Sequence, residues 1–169
     1  MQMNIASIQN PKVRTFYALT WTQHQILWDF YSCLEEEQYD FRMVERPERK
    51  ADTPRESLAH ILYVQLVYWN AMKTGKLEFK SMDSEHHLMM KKTELLAEWE
   101  RIDREMFAFL SSPAFDSEIQ VEVPWGGKMN AIDLLFFLRD HEILHIGWNL
   151  AVMDHLNIAR YPSLIQYWG

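Results

Sequence analysis

The sequence predicts an all-α protein: a four-helix bundle with a short β excursion between its third and fourth helices. Three observations carry this. Four segments repeat apolar residues at helical spacing and have recognisable ends. Only five glycines and six prolines break the chain, and 48% of its 169 residues are hydrophobic. That length and composition suit one core, so residues 1–169 are taken as a single domain.

The first helix opens at Asn10-Pro11, a cap residue followed by a proline whose missing N–H costs nothing there. Val13, Tyr17, Leu27, Tyr31 and Leu34 continue it at helical spacing to about residue 37. "TPRE" opens the second, with Thr53 as cap and Glu56 completing a capping box, and Gly75 closes it. A third, amphipathic and charged on its outer face, runs from about Asp83 to Ser111. The fourth starts near Asn130 and continues through "AIDLLFFLRDHEILHIGWNLAVMDHL". Before it, alternating Ile119, Val121 and Val123 predict a short strand, with a turn at Gly126-Gly127. The charged link "YDFRMVERPERKAD" is expected to be irregular. The tail, carrying Pro162 and several aromatics, is expected to pack across the bundle.

Charge and composition narrow the function classes. The formal net charge is −7 and the 17 Lys and Arg form no long basic run, which argues against nucleic acid as the main partner. A lone cysteine, Cys33, forms no internal disulfide and suits a reducing compartment. The first residues lack the apolar core of a signal peptide, and "LLFFL" is too short to cross a bilayer. A soluble cytoplasmic protein with a small-molecule substrate is the expectation.

The histidines are unequal. His141 and His145 are four residues apart, so on a helix they diverge by about 40° and stack one turn apart. Their face appears in the sequence as an apolar stripe through Leu134, Phe137, Leu138, Trp148 and Val152. Two neighbouring buried imidazoles each need partners, or a shared metal. His60, placed on a second-helix stripe with Ser57, Val64, Val67 and Ala71, is the best third ligand. Glu56 or Ser57 would then accept its free ring N–H. Three imidazoles leave one tetrahedral position open, as in a catalytic zinc site. His24 and Thr20, an unusually polar pair on the first helix, are candidates for lining the same pocket. His86 and His87 are expected to be solvated, and His155 to meet carbonyls ending its helix.

"HEILH" also spells the zinc-protease motif. No glutamate follows His145, Gly147 falls one residue early, and Ala151 stands where a third histidine is needed. The di-iron alternative fails too, because Glu56 and His60 are spaced by four rather than three and the third helix offers no match. Glu142 projects about 80° from the mean direction of its neighbouring histidines. It either serves as a base or faces water, the second being preferred.

"TPRESLAH" followed by His-x-x-x-His and Gly on the last helix resembles the DinB-like (YfiT-like) family, four-helix-bundle proteins to which metal dependence is ascribed. The likeness covers most of the chain. It implies up-down-down-up topology and a divalent metal, zinc or nickel in many members, held by His60, His141 and His145. It also implies relatives that are thiol-dependent transferases or isomerases using bacillithiol or mycothiol, and frequent homodimers. Many relatives read His-Arg-Gly-Gln at the last ligand, where this chain has His145-Ile146-Gly147-Trp148. That change removes polar groups, argues against a thiol cofactor, and gives the pocket an aromatic wall in Trp148. The function expected is a metal-dependent transferase or hydrolase; the alternative is a non-catalytic metal-binding stress protein.

Overall fold

Asn10 starts the first helix by accepting hydrogen bonds from the amides of Lys12 (3.0 Å) and Val13 (3.3 Å). In the computed structural model, which describes residues 4–79 and 85–168, helix α1 spans Pro11–Cys33. It ends earlier than its periodicity suggests. Leu34 turns extended, and Glu35 and Gln38 cap a separate 3-10 turn at Glu36–Asp40. The following link is more regular than expected, holding a two-stranded hairpin, β1 (Glu45–Arg46) and β2 (Arg49–Lys50).

Helix α2, Pro54–Thr74, has the predicted ends. Thr53 Oγ1 accepts from the Glu56 amide at 3.1 Å, and Glu56 Oε2 accepts from the Thr53 amide at 2.7 Å. Gly75 closes the helix at φ 76°, a left-handed conformation that a Cβ disfavours. The third predicted helix starts at Asp83, outside the described residues, and the rest is divided. A short α3 (Glu85–Leu88) precedes α4 (Lys92–Ser111). Lys91 is extended and its amide donates to Glu94 Oε2 at 2.8 Å, so a new helix begins there. Strands β3 (Gln120–Glu122) and β4 (Lys128–Asn130) form an antiparallel hairpin whose turn has Gly126 and Gly127 at positive φ. Helix α5, Ala131–Leu156, closes the bundle, and α6 (Pro162–Trp168) lies on α1, with Leu164 buried and Tyr161 donating to the Ile26 carbonyl at 2.6 Å. No helix among the described residues is long and apolar enough to cross a membrane.

Side-chain contacts fix the directions of the helices. Phe16 meets Phe136, His24 meets Glu142 and Phe30 meets Trp148, so α1 and α5 run parallel. Tyr17 meets Phe107 and Trp28 meets Trp99, so α4 opposes α1. Ser57 meets His145 and His60 meets His141, so α2 opposes α5. The topology is therefore up-down-down-up.

The core has two apolar clusters. One contains Phe16, Tyr17, Val67, Met106 and Leu138; the other contains Leu27, Tyr31, Leu58, Trp99 and Ile146. Between them, along every long helix, lies a polar layer: His24 from α1, Gln65 from α2, Asp103 from α4, and Arg139 and Glu142 from α5, all buried.

Candidate metal centre

Helices α2 and α5 cross where His60 faces His141 and His145. The Nε2 atoms of His60 and His141 are 3.0 Å apart, and those of His141 and His145 are 3.3 Å apart. One ring nitrogen from each of the three lies within 4.8 Å of the others. Ligand nitrogens about 2.0–2.1 Å from a shared tetrahedral ion stand about 3.3 Å from one another, so the donor set fits a metal such as zinc. His60 is exposed, having left the buried stripe of its neighbours, and the other two are half-buried. All three have lowered pKa values. Burial is the first cause for each; for His145, pushed down to about 3, His141 and His60 add to it. They are thus neutral near pH 7, as nitrogen ligands must be.

Ser57 supports His145 rather than His60. Its Oγ lies 2.8 Å from His145 Nδ1 and accepts from the Tyr31 hydroxyl at 2.9 Å, leaving His145 Nε2 free to face the cluster. Glu56 does not take the supporting role expected for it. Its oxygens accept from Arg42 (2.8 Å) and from the Thr53 amide, so it serves the helix end. His141 Nδ1 is buried without a partner among the described residues. Trp148 and Leu144 border the cleft, together with Asp52, which sequence reasoning missed.

His24 and Thr20 do not line this cleft. Thr20 donates to the Phe16 carbonyl at 2.7 Å within its own helix. His24 is the centre of the polar layer: its Nε2 lies 2.8 Å from Asp103 Oδ2 and its Nδ1 3.0 Å from Glu142 Oε2. An imidazolium satisfies both carboxylates at once. Burial pushes the His24 pKa down, but Asp103 and Glu142 outweigh it and hold it at about 9.

Glu142 corrects both readings given to it, since it neither faces water nor joins the histidines. It is fully buried, accepts from Gln65 Nε2 at 2.9 Å, and pairs with Arg139 and His24. Burial raises its pKa, yet Arg139 and His24 more than offset this and bring it to about 2. Two cations and two carboxylates thus balance inside the bundle. Arg139, Asp103 and Gln65 were missed by sequence reasoning. For Arg139 the signal was spacing: Leu135, Leu138, Arg139, Glu142, Ile146, Asn149 and Met153 form the inner face of α5, while Phe137 and Leu144 are exposed.

Two other histidines complete the picture. His155 Nδ1 lies 2.9 Å from the Ala151 carbonyl, as its place near the helix end suggested. His87, expected at the surface, is instead buried, with Nε2 3.9 Å from Glu98 Oε1. A larger cavity of about 580 Å³, lined by Lys76, Phe79 and Val123 among others, lies beyond the far end of α2 and contains none of this chemistry.

An up-down-down-up bundle with three imidazoles on two facing helices defines a class of helical proteins with a surface site suited to a divalent ion. The DinB family profile matches residues 4–157, and the chain belongs to that family. Among solved structures, a DinB-like protein from Bacillus cereus ATCC 10987 superposes with a TM-score of 0.66 at 13% identity, over 87% of this chain and 94% of that one. The DinB-like protein YjoA from Bacillus subtilis gives 0.53 at 16%, over 90% and 96%. A mycothiol-dependent maleylpyruvate isomerase gives 0.64 at 11%, over 86% of this chain and 62% of the isomerase, so this chain spans less than two thirds of it. At these identities the likeness is one of fold. The search of curated proteins finds no match.

Proposed function

We propose that this DinB-family chain is a divalent-metal-dependent enzyme, transferase-like or hydrolase-like, that acts on a small molecule at His60, His141 and His145. The observation that carries this is the convergence of three Nε2 atoms, two pairs of them at 3.0 and 3.3 Å, beside a cleft of about 270 Å³. Zinc or nickel is the proposed ion, since imidazole nitrogen suits both. When bound, it supplies Lewis-acid activation of a substrate group. The chain's own residues do the rest. Ser57 orients His145, the burial of His141 and His145 keeps their lone pairs unprotonated, and Trp148 and Leu144 give the cleft an apolar border.

A thiol cofactor is disfavoured. The isomerase above depends on mycothiol, but in this chain Ile146 after His145 is apolar and buried, and at Trp148 an indole N–H is the one polar group, so these two positions offer no charged contact. The protein is proposed to work in the cytoplasm, as a homodimer, without nucleic acid or membrane as partner. The competing reading is a bundle that holds its metal without turnover.

Elemental analysis of the purified protein, compared with His60→Ala and His141→Ala, tests the site. About one equivalent in the parent and loss in both variants is expected; full metal content in both refutes it. A screen of thiol-transfer and hydrolysis reactions separates enzyme from passive binder, with activity lost in the ligand variants deciding for the enzyme.

A further inference from the structure

Two pockets lie beside the three imidazoles. One, of about 270 Å³, is bordered by the histidines with Asp52, Leu144 and Trp148. The other, of about 320 Å³, is bordered by Asp52, Glu56, His60 and Leu88. Asp52 and His60 border both, so they stand between the two pockets. The two carboxylates differ in availability. Glu56 is bound by Arg42 at 2.8 Å and by the Thr53 amide at 2.7 Å. Asp52 is exposed and makes no hydrogen bond or ion pair among the described residues. Its charge nonetheless reaches His60, whose protonation it favours against burial. Arg42, engaged by Glu56, is the cation within electrostatic reach of Asp52; no Lys or Arg borders either pocket among the described residues, and Leu88, Leu144 and Trp148 supply apolar and aromatic surface.

We propose that the groove selects small molecules carrying a cationic nitrogen at the end remote from the metal-seeking atom, with Asp52 as the counter-ion, and disfavours those ending in a carboxylate. This rests on the metal-dependent reading above. A carboxylate placed beside Asp52, at the end remote from the metal, meets like charge there, whereas an ammonium group gains an ion pair and an aromatic face in Trp148.

The test uses the full chain loaded with cobalt(II), titrated with three thiols that differ in their far end: thiocholine, 2-mercaptoethanol and 3-mercaptopropionate. The thiolate-to-cobalt absorption band reports each affinity. Thiol acidity differs among the three, so the readout is how the thiocholine-to-mercaptopropionate ratio changes between wild type and Asp52→Asn. Exposed charge pairs are worth up to about fivefold each in affinity, so gaining one and losing a repulsion predicts a fall in the ratio of roughly tenfold in the variant. Cobalt content is expected to be equal in the two proteins. Equal cobalt uptake with an unchanged ratio overturns the cation preference alone. A protein that takes up no cobalt overturns the metal reading, and this proposal with it.

Discussion

Replacing Glu142 by glutamine keeps the size of the side chain and removes one charge from the centre of the bundle. The carboxylate is fully buried, faces His24 at 3.0 Å and Gln65 at 2.9 Å, and pairs with Arg139. A carboxyl held at about 2 rather than 4.5 is favoured in its charged, folded form by about 3 kcal/mol. Removing one partner of a buried pair costs a similar ~3–5 kcal/mol, because Arg139 and His24 are left facing each other unbalanced. Urea unfolding at pH 7 should therefore show Glu142→Gln less stable by about 3 kcal/mol, a large share of the ~5–15 kcal/mol usual for a domain. A companion variant replaces the four charged groups of the layer with apolar ones: His24→Leu, Asp103→Leu, Arg139→Met and Glu142→Leu. It removes the stranded charges together and should be at least as stable as Glu142→Gln. A loss below about 1 kcal/mol in the single variant would refute the account of this layer. So would a quadruple variant less stable than the single one.

The same cluster predicts two pH limits, and the metal centre predicts a role for Ser57. Glu142, with its folded pKa depressed to about 2, contributes stability that is present above 4.5 and lost as pH falls toward 2. His24, raised from 6.5 to about 9, contributes stability that is full below 6.5 and lost as pH rises through 9. Between pH 7 and 10 the urea midpoint of wild type should fall more than that of His24→Gln, by the equivalent of about 2–3 kcal/mol; parallel curves would count against an imidazolium in the core. Ser57→Ala should weaken metal binding by about tenfold, measured by competition with a chromogenic chelator, because His145 loses the group that orients it. Unchanged affinity would show that Ser57 does not position the ring.

How much was legible in the sequence follows from how local each signal is. Asn10, Thr53, Glu56 and Gly75 act on amides within four residues, so those helix ends could be read directly. The break at Lys91 could not, because the amphipathic pattern runs through it and only Glu94 folding back marks the new start. The pairing of His60 with His141 and His145 could be inferred because three imidazoles on facing helices are rare without a common purpose. The inner face of α5 was misassigned. Charged Arg139 and Glu142 look like surface residues until His24, Asp103 and Gln65, each from another helix, are placed against them. Buried polar layers are built from non-local pairs, and periodicity reports only one helix at a time.

The polar layer also sets the axial register of the bundle. Sliding α5 by one turn, about 5.4 Å, would drive Glu142 and Arg139 into one of the two apolar clusters and take Glu142 from both His24 and Gln65. That same turn of α5 carries His141 and His145 on its adjacent face. The spacing between these rings and His60 is therefore indexed by groups that never touch them. The wall of the groove, formed by Asp52, Leu88, Leu144 and Trp148, lies outside the indexing layer. Its residues can be exchanged to suit a different molecule while the three imidazoles keep their positions.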